Sequence, residues 1–304
     1  MAAASPGLTR RRHTSERIIE LLLFLAAALG VLTTIGIVVV LTLGALEFFA
    51  EVGIVEFLTG TVWSPQILPC RFGILPLLNG TLMVASIALV IAIPCGLLAA
   101  VYLSEYASPR VRTAVKPILE TIAGIPTIVL GFFALNFLTP ELLRPIFDAR
   151  IGTFNALAGG IVVGLLVTPL IASISEDAMR AVPRGMREGA YAMGATKFEV
   201  VRKVVIPAAL SGIMASIILA MSRAIGETMA VALAVGSKPQ LTLNPLESIQ
   251  TMTVFIVNVT QGETGQGSIE FKSLFAVAMA LFLMTLVLNL ISARIVRRFR
   301  TGYA

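Results

Sequence analysis

Arg223 and Glu227 stand four residues apart in the stretch 204–236, which carries no other charge. On a continuous helix that spacing puts both on one face. Placing either in lipid costs about 2.5–3.5 kcal/mol on insertion scales, so something must compensate. One reading is a packing pin in which the two neutralise each other. Arg before Glu is the less favourable order on a helix, and such pairs contribute only about 0.2–0.5 kcal/mol. That gain does not offset the insertion cost, and ionisable residues inside spans mark pathways and relays. A guanidinium is permanently charged and its planar fork matches tetrahedral oxyanions. The residues therefore point to an anion crossing the membrane, with Glu227 expected to hold Arg223 at rest and the anion to compete for it. Thr228, and Ser222 off that face, add hydroxyls. Steps of three and four through Arg223 also collect Gly212, Ser216, Ala220, Ala230 and Ala234, a small-residue stripe suited to close approach and turned from lipid.

A second constellation lies in 182–207, VPRGMREGAYAMGATKFEVVRKVVIP. Pro183 can start a helix, where its missing N–H is no loss, and Gly194 can end it in a left-handed cap. Thr196 and Glu199 then form a capping box that starts the next helix. The first helix puts Met186, Ala190 and Met193 on one face, with Arg184, Arg187 and Glu188 elsewhere. Adaptable Met and small Ala suit a knob pressed into another protein's groove. Composition alone leaves open a basic amphipathic helix resting on lipid.

These residues need a scaffold, and composition defines it. Of 304 residues, 57% are hydrophobic and 13% charged, and mean hydropathy is +0.93. Soluble domains carry about 25% charged residues. A cytosolic enzyme, a disordered chain and a single-anchor protein are excluded, leaving an all-α polytopic membrane protein. About 20 apolar residues cross a bilayer as a helix, and runs of that kind cover 21–46, 72–104, 121–140, 151–175, 204–236 and 273–293. Six transmembrane helices are predicted. The first run is too long for a signal-peptide core, and no clear cleavage site follows, so it is expected to stay as an anchor.

With the N-terminus in the cytoplasm, seventeen Lys and Arg lie on the inner side and five on the outer side. The positive-inside rule then makes both termini cytoplasmic, and topology accounts for the net charge of +6 without nucleic acid. The inner residues include a basic tail, 1–17, ahead of a six-helix permease domain, 18–304, and some can touch anionic membrane lipid. Outside, 237–272 repeats Ile249, Met252, Phe255, Ile256 and Val259 at helical spacing. That pattern predicts a short amphipathic helix near the outer surface, for packing or for gating and docking. Trp63 beside Pro65 and Pro69 reads as an interfacial anchor. Glu105 and Glu120 read as interfacial, Pro94 as a tolerated kink.

Catalytic chemistry is not expected. Cys70 and Cys95 fall most of a membrane thickness apart, too far for a disulfide, and His13 sits in the basic tail. No nucleophile motif, metal cluster or phosphate-binding glycine loop is present, so no cofactor is expected on this chain.

Glu188-Gly189-Ala190, Gly194 and Ile206-Pro207 resemble the cytoplasmic loop of ABC importer permeases, Gly189 standing where that family usually has Ala. The resemblance implies a coupling helix, with Glu188, Gly189, Ala190 and Gly194 contacting a separate ATPase subunit. RAIGETMA at 223–230, GIPTIVLGFF at 124–133 and FLTGTVWSP at 57–65 resemble the permease subunits of phosphate-specific Pst importers, the tryptophan segment favouring the PstC type. That resemblance implies a type I ABC importer fold in a bacterial inner membrane. It implies uptake of inorganic phosphate by alternating access, with Arg223 and Glu227 in its passage and 124–127 as a break in the third span. Its partners would be a homologous PstA-like permease, two ATPase subunits carrying ATP and Mg, and an extracytoplasmic phosphate-binding protein. Molybdate or sulfate is the nearest rival cargo. An ATPase-independent channel would leave the docking loop without a use.

Overall fold

The computed structural model describes residues 14–262, 264–265 and 267–300, so most of the basic tail, including His13, lies outside the described residues. Among these residues, six helices are long and apolar enough to cross a membrane: Glu16–Phe49, Leu75–Tyr106, Thr127–Phe147, Ala156–Arg180, Lys197–Ile225 and Ile269–Arg294. The six crossings match the six apolar runs, with two shifts.

In chain order, α1 (Thr14–Phe49) leads to the short α2 (Ile54–Thr59) and a two-residue antiparallel pair, β1 (Trp63–Ser64) with β2 (Arg71–Phe72). Helix α3 (Leu75–Val101) runs through Pro94 without a break and ends in a π turn, Tyr102–Tyr106. Next come α4 (Pro109–Ala123), α5 (Thr127–Phe133) with its π-helical extension Ala134–Leu143, and α6 (Arg144–Phe147). Helix α7 (Ala156–Arg180) precedes α8 (Arg184–Ala192) and α9 (Lys197–Val200), whose π extension, Val201–Val205, runs into α10 (Ile206–Ile225). Then follow α11 (Met229–Val235), α12 (Met252–Gln261) and α13 (Ile269–Arg300).

The third crossing starts at 127 rather than 121. Pro126 restricts the residue before it to extended conformations, so Gly124-Ile125-Pro126 separates α4 from α5. Helix α4 has no buried residue and stands outside the crossings. The fifth crossing ends as a continuous helix at Ile225, for reasons given below.

The centre of the bundle is the seam between α3 and α7. Gly160 lies against Ile87, Gly164 against Ala88, and Gly96 against Ile171; small residues allow such close approach where lipid supplies no hydrophobic drive. Helix α10 continues the seam, with Gly212 against Ala178 and Ser216 Oγ hydrogen-bonded to Ser175 Oγ at 2.8 Å. Gly212 and Ser216 of the small-residue stripe therefore pack toward α7, while Ala230 lies against Gly131 of α5. Helix α1 packs through Gly44 on Phe275 of α13, and its apolar side chains otherwise face outward.

The outer end differs from expectation. Trp63 is 3% exposed, enclosed edge-to-face by Phe57, Phe72 and Phe255, with the Phe255 ring centroid 4.8 Å away. It is a core residue, not an interfacial anchor. Helix α12 is buried on Met252, Val254, Phe255 and Val259, with Ile249 just ahead of it fully buried. It is a short amphipathic helix that packs one face into the outer end of the bundle and leaves Asn258, Thr260 and Gln261 exposed. The Met252 amide donates to Thr81 Oγ1 at 3.0 Å, tying α12 to α3.

A Cβ on Gly80 would stand 2.4 Å from the Gln250 carbonyl oxygen and 3.0 Å from its carbon, and backbone cannot step aside as a flexible side-chain tip can. Gly80→Ala is expected to destabilise the chain by about 1–3 kcal/mol, read as a lower thermal unfolding midpoint in detergent. An unchanged midpoint would mean that α3 does not hold the 249–252 segment.

Candidate functional site

Arg223 sits near the end of α10. Ser216 is level with Ser175 on α7, and seven further residues at 1.5 Å each carry Arg223 about 10 Å outward, toward the middle of the bundle. Exposed positions on α10 run Ala215, Leu219, Arg223 and Gly226, whereas Ser216, Ala220 and Ala224 are buried. Seven residues are about two turns, so Arg223 stands on nearly the same side of α10 as Ser216 but beyond the packed part of that face, where its side chain is exposed.

Two residues later the helix stops. Gly226 is a poor helix former, and Thr228 takes φ −120°, ψ −57°, so 226–228 form a break between α10 and α11. A break in a membrane span is tolerated where other groups satisfy the freed backbone. Glu227 supplies part of this: its carboxylate Oε1 accepts the Ala230 amide at 3.3 Å, and its carbonyl accepts Thr253 Oγ1 at 3.1 Å. Thr228 Oγ1 donates to the Gly226 carbonyl at 3.2 Å, and the Thr228 carbonyl accepts the Ala232 amide at 2.8 Å.

The expected Arg223–Glu227 pair is absent: no ion pair joins them among the described residues. Four-residue spacing makes neighbours only on an unbroken helix, and here the break intervenes while the carboxylate caps α11. Ser222 is likewise engaged elsewhere, donating to Asn289 Oδ1 of α13 at 2.7 Å. Arg223, Glu227 and Thr228 remain together around the break, with Arg223 exposed and the other two half-buried.

The inner loop folds as its caps dictate. Gly194 has φ +83°, the left-handed geometry that closes α8. Its amide reaches the Tyr191 carbonyl at 2.9 Å, and the Ala195 amide reaches that of Ala190 at 3.1 Å. Thr196 and Glu199 form the reciprocal capping box. Glu188, Gly189 and Gly194 are exposed, and nothing lies within 4 Å of a Cβ placed on Gly189, so this face is open. The expected Met186–Ala190–Met193 face divides, because the loop closes back on the bundle. Ala190 packs against the inner-end core of Met179, Val182, Val200 and Val205. Met186 lines a cleft with Ala178, Ala209 and Gly212, while Met193 is 89% exposed.

Two charged clusters near the inner end had no clear trace in the sequence. Glu176 of α7 is fully buried, with Arg112 Nε at 2.8 Å and Lys116 Nζ at 2.9 Å. Lys116 also reaches Asp177, fastening α4 to α7. Burial alone would lower the Lys116 pKa, but hydrogen bonds to Asp177 and Glu176 outweigh it and the net direction is up. The second cluster joins Glu105 to Arg187 at 3.0 Å, so Glu105 is an internal partner and not an interfacial charge. The i, i+4 spacing of Arg112 and Lys116 was the one available hint, since it aims two cations at a common neighbour.

With this geometry in view, comparison with known proteins is informative. Residues 92–301 match the family described as Binding-protein-dependent transport system inner membrane component. The chain is 33% identical over 274 residues to the probable ABC transporter permease protein YqgH of Bacillus subtilis, covering 88% of each. It is 31% identical over 297 residues to the phosphate transport system permease protein PstC of Mesorhizobium japonicum, covering 91% of this chain and 89% of that one. The probable phosphate transport system permease protein PstA of Methanocaldococcus jannaschii is 31% identical, covering 82% and 85%. Among solved structures, a bacterial ABC transporter that imports the acidic polysaccharide alginate aligns with TM-score 0.64 at 16% identity, over 90% of this chain and 96% of that one. The MetNI methionine ABC transporter in an inward-facing conformation aligns with TM-score 0.55 at 22% identity, over 75% and 94%. These structural likenesses establish the fold, that of type I ABC importer permeases. The chain belongs to the binding-protein-dependent transport system inner membrane components and is a multi-pass inner-membrane protein.

Removing one member of a buried ion cluster leaves its partners uncompensated, at about 3–5 kcal/mol. Glu176→Gln is accordingly expected to lower the unfolding midpoint far more than substitution of the exposed Glu188. Because the folded pKa of Lys116 is raised, its contribution is complete below its ordinary value of 10.5 and is lost only as pH rises beyond the folded value. The penalty for Lys116→Met should therefore be constant from neutral pH up to the approach to 10.5; a penalty that fades within that range would contradict the assignment.

Proposed function

We propose that this chain is the permease subunit of an ATP-driven importer that carries inorganic phosphate into the cytoplasm. The observation that carries this reading is the exposed Arg223 guanidinium, without an ion-pair partner among the described residues, beside a helix break inside a membrane span. Relatives named as phosphate permeases across most of the chain support the choice of cargo. The permease would pair with a homologous PstA-like subunit, its exposed α10 face turned to a shared pathway. Two ATPase subunits, carrying ATP and Mg, would seat on α8 at Glu188, Gly189, Ala190 and Gly194. An extracytoplasmic binding protein would deliver phosphate from outside.

In this mechanism the fork of Arg223 offers two parallel charge-assisted N–H bonds to a phosphate oxygen pair. Glu227 does not have to be displaced, because its carboxylate is already committed to capping α11. Its negative charge near the break weakens phosphate binding, which favours release over trapping. The Thr228 hydroxyl adds a donor at the same level. Closure of the ATPase subunits presses on α8 and alternates which side of the membrane the Arg223 level faces.

The test is copurification with a second permease and two ATPases, followed by radiolabelled phosphate uptake into proteoliposomes. Losing a hydrogen-bonded charge costs about 1.5–3 kcal/mol, so Arg223→Gln should reduce uptake roughly ten- to hundredfold while assembly persists. Undiminished uptake would remove Arg223 from the pathway. Competition by molybdate or sulfate equal to that of unlabelled phosphate would reassign the cargo, and uptake that persists without ATPase subunits would favour a channel.

A further inference from the structure

We infer that Arg187 is the positioning residue that makes the docking helix and the transmembrane bundle move as one body. The inference rests on α8 being the ATPase contact and goes beyond it by assigning the mechanical link. Neighbouring residues of α8 divide in direction. Glu188 is exposed, whereas the Arg187 side chain turns inward and is 16% exposed. Its Nη1 donates to the Val182 carbonyl at 2.6 Å, and its Nη2 donates to the Met179 carbonyl at 2.7 Å and to Glu105 Oε1 at 3.0 Å. One guanidinium thus joins three elements: α8, the C-terminal end of α7, and the π turn that ends α3.

The receiving groups suit a cation. Carbonyls at a helix C-terminus lack intrahelical partners and carry partial negative charge, and the Glu105 side chain is only 8% exposed. Ser104 Oγ donates to the same Glu105 oxygen at 3.1 Å, fixing the carboxylate. Arginine spreads its N–H donors over a rigid fork, which lets Nη1 and Nη2 reach acceptors that the single nitrogen of lysine would have to serve from one point.

The link reaches the pathway by packed contacts. Helices α3 and α7 meet along the central seam, and α7 is hydrogen-bonded through Ser175 to Ser216 of α10, which bears Arg223. A push on α8 is therefore delivered to α3 and α7 together. Without the guanidinium, α8 loses its polar tie to α7 and α3 and keeps the apolar contact of Ala190 and the seat of Met186 in its cleft, on which it can pivot without carrying the bundle.

The experiment uses the assembled permease–ATPase complex in proteoliposomes and reads phosphate taken up per ATP hydrolysed. Arg187→Gln is expected to lower that ratio at least tenfold while ATPase copurification and ATP hydrolysis persist. Arg187→Lys, which keeps the charge but not the fork, and Glu105→Gln, which keeps the carbonyl bonds, should fall between the two. A second readout needs no cargo: maleimide labelling of Tyr102→Cys at the inner end of α3, with Cys70 and Cys95 replaced by Ala. ATP should change the labelling rate with Arg187 present and not with Arg187→Gln. If the complex takes up no phosphate yet the labelling response depends on Arg187, the cargo reading fails and the link stands. An unchanged ratio and an unchanged labelling response in Arg187→Gln would overturn the link. Loss of ATPase copurification in Arg187→Gln and Arg187→Lys would also overturn it, by placing Arg187 in the docking contact.

Discussion

Within a bilayer, a backbone polar group without an internal partner costs several kcal/mol, and this single constraint organises the fifth span. The helix is interrupted at 226–228, between α10 and α11. The interruption survives because Glu227 and Thr253 take up the freed groups. Thr253 belongs to α12, so burying that helix in the outer end of the bundle is part of the same solution. Among the described residues Arg223 is then left without an ion-pair partner, a property that an intact helix with a closed Arg–Glu pair would not have.

The inner end is built on a different economy of charge. Apolar packing holds α3, α7 and α10 together across the membrane, but toward the cytoplasm the elements are short and polar. There, ionic clusters add to a small apolar core: Glu176 fastens α4, and Arg187 fastens α8 to the ends of α7 and α3. Both clusters are anchored on the last turns of α7 or just beyond it, which makes that helix the common support for everything on the inner face. Buried ion clusters of this kind add little net stability relative to apolar packing, yet breaking one is costly. They are suited to fixing geometry between parts that must move together.

Local features were legible directly. The Pro183 start, the Gly194 cap and the Thr196–Glu199 box appear in the structure as the residues indicate, because each involves groups only a few positions apart. The six crossings also follow from hydropathy, with shifts where Pro126 and Gly226 override an apolar run. Trp63 was misread because a lone aromatic beside prolines carries no record of Phe255, nearly two hundred residues away, that encloses it. The small-residue stripe was recognised as a surface for close approach, but not its partners, which are α7 at Gly212 and Ser216 and α5 at Ala230.

What the residues determined by themselves is therefore the membrane class, the number of crossings, their sidedness by Lys and Arg, and the shape of the docking loop. Hydropathy, charge and capping act within a turn or two, so the order of residues suffices. Only the tertiary structure decided which side chains are free. That Arg223 has no ion-pair partner among the described residues, and that Glu227 is a cap, Glu176 neutralised and Arg187 turned inward, depends on the fold around them, and spacing along one helix holds no information about it.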